Sequence, residues 1–461
     1  LSASGHSIFG LNDFLSDVRD LGRKAEALSK IPVEHVIHLA AKVGVKKSWE
    51  DPVEYYSVNV HGTQQVLEFC RQRDASLTYL SAFVYDPENC GPFTEDAEVK
   101  PSSPYNHSKW LGEELCRFYQ EKFNMKNFLK NSKGAYFFGP RNVQILKHKI
   151  KNLKNIFLII RVNSCMICGS DLRIYKEGSP RIKKPTIIGH ETSGMIVFSK
   201  IKKFKVGNKV SLGADFQKEK NFAFGYELDG GFSQHMFLKK KHALTAPIAI
   251  YKKNISYDEA ALAEPLACCL NGFEKMKFRP NKTITIFGCG PIGLMIGLLA
   301  KKFKSKKIIL VDNNNQRLKY AKKILKCKTI FFNKRSFIKD FFKSNNNTGS
   351  DYIFTANPSV ETHKFSLKLA NKGAYINLFG GVPKNNSKLT VDSNYIHYNE
   401  INLLGSHGSS IKQHKKALKI IENKEINLKP LITHKFKLTN LTKAYNILLK
   451  GEGLKIAIKP N

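Results

Sequence analysis

The sequence predicts an α/β protein built on a doubly wound parallel sheet. A β-rich domain accompanies the sheet, and an incomplete segment of similar α/β type precedes both. Three observations carry this. Residues 283–287 form a short apolar run closed by Gly288, Gly290, Pro291, Ile292 and Gly293, a glycine-rich turn that opens a helix. Residues 162–210 alternate short apolar runs with Gly and Pro punctuation, including Gly189, Gly194 and Gly207. Two apolar runs, 36–41 and 77–81, flank a helical period over 52–71, the pattern of a βαβ unit.

The first segment is taken as residues 1–128. Val36 to Ala41 is expected as a buried parallel strand and Leu77 to Ser81 as its neighbour. Between them, Tyr55, Val58, Val66, Leu67 and Cys70 fall on one face of a helix running from Pro52 to Arg71. Tyr105 and Lys109 stand at i, i+4 on one helix face, where an ammonium can ease a phenol toward general-base work. Such a pair is common on surfaces by chance. No strand and glycine-rich turn precede Asp17, since only Gly5 and Gly10 stand there.

Composition marks a boundary after that segment. Residues 1–128 hold 14 basic and 18 acidic residues, yet the whole chain of 461 carries +37. The excess is lysine scattered among asparagines, with no groove-reading motif, so a solvated surface is expected and no specific nucleic-acid partner. Nine cysteines without framework spacing point to a reducing compartment, and the expected location is cytoplasmic. No basic-then-apolar stretch opens the chain. The apolar run 284–300 is short for a membrane span and broken by glycines, so no membrane partner is expected.

The stretch from Cys165 to Glu191 carries the chemistry. Cys168 offers a thiolate, His190 an imidazole and Glu191 a carboxylate, the mixed donors that zinc accepts where it is held for catalysis. Ser170 follows the cysteine by two residues. Cys165 and Cys168 alone fit a redox dithiol or half of a closed zinc clip equally well. Downstream, Asp312 ends the apolar run 307–311, 19 residues after Gly293, close to the spacing of about 20 at which a carboxylate meets the cofactor ribose. A carboxylate there repels a 2′-phosphate, which favours NAD over NADP; Arg317 follows and is counted with the cofactor site. Further strands are expected at 329–332, 352–355 and 374–379. The last residues are expected to return to the catalytic domain.

The ICGSD and GHE sequences around Cys168 and His190 resemble the signature of the zinc-dependent medium-chain dehydrogenases, the alcohol and sorbitol dehydrogenase superfamily. That resemblance spans roughly residues 130 to 461. It implies a GroES-like catalytic domain over 129–257 and 406–461, and a Rossmann domain over 258–405 that binds NAD. It also implies a catalytic zinc on Cys168, His190 and either Glu191 or Glu264, the latter in an EPL sequence that matches sorbitol-type relatives. Ser170 would pass the alcohol proton outward, and Arg173 stands where many relatives carry a relay histidine. The four-cysteine lobe of many relatives is missing at 216–225, so one zinc per chain is expected, and Cys268 and Cys269 are expected to pack in the core. A small alcohol substrate and a homo-oligomer, dimer or tetramer, follow by the same resemblance.

HLAAKV at 38–43, PVEYYSVNVHGT at 52–63 and LSAFVY at 80–85 resemble the extended short-chain dehydrogenases, the sugar-nucleotide epimerase and dehydratase family. This implies a catalytic trio of Ser81, Tyr105 and Lys109, an adenine-contacting Asp17 and a structural Asn59, with Asp86 replacing a usual glycine. The expected function is zinc-dependent, NAD-linked oxidation of a secondary alcohol, polyol or sugar-derived. Two other readings compete: epimerase or dehydratase activity from the first segment, and a fusion product without activity.

Overall fold

The computed structural model describes residues 17–21, 33–73, 75–82, 99–120, 132–148, 155–216, 222–252 and 255–461. The chain divides into two compact units, Leu1–Asn131 and Ser132–Asn461. Gly5, Gly10 and Asp86 lie outside the described residues.

In the first unit, β1 (His35–His38) pairs in parallel with β2 (Ser76–Tyr79), and the helix Gly62–Arg73 connects them. Val36 and Leu77 pack with Leu21, Val66, Phe69 and Cys70. Strand alternation sends their neighbours the other way, so Ile37 is 47% and Leu39 62% exposed. The expectation of a strand buried on both faces is therefore corrected: helices cover one face only among the described residues. The helix expected over 52–71 also differs. Helices Pro52–Tyr56 and Gly62–Arg73 are joined by a π-helical turn, Ser57–His61. The wide turn shifts the inward stripe by one residue. Asn59 takes the buried place and Val58 is left half-buried.

The second unit opens with β3 (Lys133–Gly139) and β4 (Asn142–Lys147), an antiparallel pair extended by β6 (Thr186–Ile187). β5 (Ile156–Met166) is the centre of the β-rich domain, with β7 (Glu191–Ser199) along one edge and β9 (His235–Lys239) also pairing with it. β8 (Lys209–Leu212) and β10 (Ile248–Tyr251) extend the sheet beyond β7. Then come β11 (Thr283–Phe287), β12 (Lys307–Asp312), β13 (Lys328–Phe331), β14 (Ser350–Thr355), β15 (Ala370–Leu378) and β16 (Asn402–Gly405). These six form one wholly parallel sheet in the order β13-β12-β11-β14-β15-β16. The order reverses beside β11, and crevices at such reversals hold ligands in open α/β sheets. Helices cover the sheet, so Ile309, Leu310 and Val311 are all within 1% of full burial. Finally β17 (Ile432–Lys437) and β18 (Lys455–Lys459) return to the first sheet, β18 pairing with β5.

The apolar run 284–300 is thus β11, its turn and part of the helix Pro291–Lys302, and no described helix is long and apolar enough to cross a membrane. Asp258 and Glu259 stand in the acidic first turn of a short helix. Ser256 caps the short helix Tyr257–Ala261, and a second helix, Ala263–Lys275, follows. Asp258 itself is buried, accepts a bond from the Ser164 hydroxyl at 2.7 Å, and pairs with Lys435 at 2.9 Å and with Lys459. It ties β5 to β17 and β18 within the unit.

Candidate active site

Cys168 stands two residues past the end of β5, at the N-cap of the helix Gly169–Glu177. Its backbone N–H donates to Asp171 Oδ2 at 2.9 Å, which holds the sulfur at the positive end of the helix. Gly189, at φ +93°, turns the chain so that His190 and Glu191 enter β7 pointing toward the cysteine. Cys168 Sγ, a ring nitrogen of His190 and a carboxylate oxygen of Glu191 all lie within 4.8 Å of one another. His190 and Glu191 are buried, while Cys168 keeps an open side.

Asp171 orients the histidine. Its Oδ1 lies 3.4 Å from His190 Nδ1, and on the far side of the ring Nε2 is 3.4 Å from Ser170 Oγ. A carboxylate behind an imidazole is the usual support for a metal-binding histidine. Burial opposes charge on this ring, but the Asp171 carboxylate and the Cys168 sulfur outweigh it and hold its pKa well above the ordinary value. The cluster therefore favours positive charge at its centre. Its mixed S, N and O donors fit zinc on that ground.

The two glutamates differ. Glu191 is fully buried, and both of its oxygens accept from Lys455 Nζ, which also donates to the carbonyl of Ile167 at 3.3 Å. Burial alone would discharge Lys455; Glu191 reverses this and raises its pKa above the ordinary value. Glu264 lies outside the three-donor group and accepts from Cys268 Sγ at 3.6 Å. Burial pushes its carboxyl up to about 7; His190 opposes the shift, and Glu191 and Asp215 add to it. Cys269 is fully buried and packs in the core, whereas Cys268 is only partly covered.

The glycine-rich turn is built to approach a ligand closely. Gly288 has φ +101°, and a Cβ on Gly293 would lie 1.8 Å from the Gly288 carbonyl oxygen, so only glycine lets helix and turn close together. A Cβ on Gly290 would meet nothing within 4 Å, which leaves open space above the first turn of the helix Pro291–Lys302, where Pro291 and Ile292 begin. That cradle fits a pyrophosphate. Asp312, at the end of β12, accepts from Cys289 N at 2.6 Å and Asn314 N at 2.9 Å. Arg317 follows in the helix Asn315–Leu325 with its Nε buried and without a hydrogen-bond partner.

In the first unit the candidate trio does not come together in a bonded set. The Lys109 ammonium sits over the ring of Tyr79 at 4.5 Å, and burial lowers its pKa. Tyr105 meets Tyr55 edge-on at 6.2 Å, and Ser81 Oγ is buried with no partner. Asp17 is occupied by Arg19, which bonds it through the backbone at 2.8 Å and through Nε at 3.0 Å, and which lowers its pKa. Asn59 bridges chain segments, accepting from Lys42 N at 2.7 Å and donating to Ser108 Oγ at 2.9 Å.

Three residues of the site were not singled out from sequence: Asp171, Lys455 and Tyr226. Asp171 sits inside the signature, three residues after an N-cap, where a carboxylate closes a capping box. Lys455 begins an apolar strand at an inward position, an unusual place for an unpaired lysine. The Tyr226 ring centroid is 5.8 Å from that of His190, and nothing in its neighbourhood of sequence signals this.

A parallel dinucleotide sheet beside a buried Cys/His/Glu centre, in one compact unit, defines a dehydrogenase with a metal site. Family comparisons name it. The family described as alcohol dehydrogenase GroES-like domain matches residues 157–248, and that described as zinc-binding dehydrogenase matches 291–423. From about residue 130 onward the chain matches both domain models of the zinc-binding alcohol dehydrogenases. Similar curated proteins are D-arabinitol dehydrogenase 1 of Uromyces fabae, 27% identical over 71% of this chain and 96% of that one, and sorbitol dehydrogenase of Bacillus subtilis, 27% identical over 72% and 98%. Among solved structures, 2R,3R-butanediol dehydrogenase from Bacillus subtilis shares the fold, with a TM-score of 0.65 at 21% identity over 72% of this chain and all of that one. The NAD dependent epimerase/dehydratase family matches residues 4–174. The stretch 157–174 falls in both matches, and its strand β5 is integral to the zinc-family sheet through β7, β9 and β18.

Proposed function

We propose that residues 129–461 catalyse NAD-linked interconversion of a secondary alcohol, a polyol or sugar-derived alcohol, and its ketone. The catalytic domain comprises 129–257 and 406–461, and the cofactor domain 258–405. The observation that carries this reading is the buried Cys168, His190 and Glu191 group, in the same unit as the open glycine cradle. A zinc ion bound there, one per chain, would supply Lewis-acid chemistry at the substrate hydroxyl. Cys168 and His190 would hold it with one glutamate: Glu191 stands within the three-donor group but is bonded to Lys455, and Glu264 is the buried alternative outside it.

The remaining steps belong to the chain's own residues. Ser170 receives the hydroxyl proton, Asp171 keeps the His190 ring in place, and the turn Gly288–Gly293 with Asp312 seats the dinucleotide. Among similar solved structures one is complexed with NADH and another bound to NADP, so Asp312 supports the choice of NAD. The polyol class is supported by the names of similar curated proteins, which include a D-xylulose reductase A of Aspergillus oryzae beside the arabinitol and sorbitol enzymes. Free cysteines throughout the described residues support a reducing, cytoplasmic setting, and a homo-oligomer is proposed from the family alone. Zinc-loaded protein should reduce NAD with a panel of pentitols and hexitols. No reduction with any secondary alcohol would refute the proposal.

A further inference from the structure

The proton that Ser170 receives must leave the site, and the residues around Ser170 restrict its route. Asp171 is fully buried and already bonded to Cys168 N while facing His190. Arg173 is exposed, and a guanidinium has no acceptor to offer. Lys455 is taken by Glu191. Tyr226 remains, half-buried beside His190, with ring centroids 5.8 Å apart.

That tyrosine is held from behind. The Arg181 guanidinium lies over its ring at 4.2 Å, and Glu227 grips Arg181 by two bonds of 2.8 Å each. Glu227 in turn accepts from Ala223 N at 3.0 Å, which pins the clamp to the backbone. A side chain kept so firmly beside the imidazole that Ser170 also meets has one free function, its phenol. Building on the polyol dehydrogenase reading above, we propose that Tyr226 relays the substrate proton from Ser170 to solvent. The alcohol O–H breaks as Ser170 Oγ gains its proton; the Ser170 proton passes to Tyr226 Oη, and the Tyr226 proton passes to water. The electron pair leaves with the hydride to NAD, so the sum is alcohol plus oxidised cofactor giving ketone, reduced cofactor and one proton. Tyr226 is a positioning residue in this scheme, since it acts through Ser170.

The test is Tyr226→Phe in the zinc-loaded full chain. The ring and its Arg181 contact persist, so zinc content and melting midpoint should match wild type, with KM for the polyol within about twofold. The kcat for oxidation should fall about a hundredfold, the low end of what a positioned proton transfer contributes, and added imidazole buffer should restore part of it. An active wild type with unchanged kcat and pH profile in the variant overturns the relay alone, as does a loss confined to KM or to zinc content. A wild type inactive on every secondary alcohol overturns the function reading and the relay with it.

Discussion

Lys455 and Glu191 form a closed pair across the catalytic sheet, with one ammonium serving both carboxylate oxygens and side-chain exposures of 3% and 0%. The pair fixes β18 against β7 at the candidate metal centre, to which Glu191 itself belongs. Both charges have left water, so each depends on the other.

Removing the cation should therefore be severe. Lys455→Met leaves Glu191 buried beside Glu264 without the ammonium that bonds both of its oxygens, and a loss of about 3–5 kcal/mol of stability is expected. Chemical denaturation of the metal-free proteins measures it. A loss under about 1 kcal/mol would mean the pair is open to solvent.

Cofactor choice should follow Asp312. Asp312→Ser removes the acceptor for the ribose hydroxyls and should weaken NAD by about 1.5–3 kcal/mol, tenfold or more, while relieving the repulsion of NADP. Fluorescence titration with NADH and NADPH reads both. Equal wild-type affinity for the two would contradict the assignment.

Stability should fall on mild acidification. Burial lowers the pKa of His148, His235 and His414 from 6.5 to about 4, with neighbouring cations adding to the shift at His235 and a Ser211 hydrogen bond opposing it at His414. Between those values the unfolded chain binds protons that the folded chain refuses, so stability is complete above 6.5 and is lost as pH falls toward 4. Each histidine contributes a slope of up to about 1.4 kcal/mol per pH unit. In the zinc-loaded protein His190 is occupied and adds nothing of opposite sign. His414→Gln should flatten the dependence by about one proton, as measured by melting midpoints from pH 4 to 7, and an unchanged slope would count against it.

The first unit should be silent in the alcohol reaction. Tyr105→Phe is expected to leave zinc-dependent activity within about twofold of wild type, because Ser81, Tyr105 and Lys109 share no bond and Lys109 is engaged with Tyr79. Loss of an epimerase activity on that substitution would show a working site there.

What was legible in the sequence was local. The glycine turn, Asp312 and the Cys168-to-Glu191 stretch announce themselves because spacing along a strand, turn and helix fixes where their side chains fall. Lys455 lies 264 residues from Glu191 and came together with it only through the return of β18 to β5. The exchange of Val58 for Asn59 depends on one widened turn that no 3.6-residue period foretells. Tyr226 gained its place from a clamp between Arg181 and Glu227, 46 residues apart, and neither residue stands in a recognisable motif.

Metal content of the purified full chain, wild type against Cys168→Ser, tests the central claim most directly. Cys168, His190 and a glutamate form one buried centre, and the account predicts one zinc per chain in wild type and none in the variant. Two zincs in wild type, or zinc retained without the Cys168 sulfur, would contradict it.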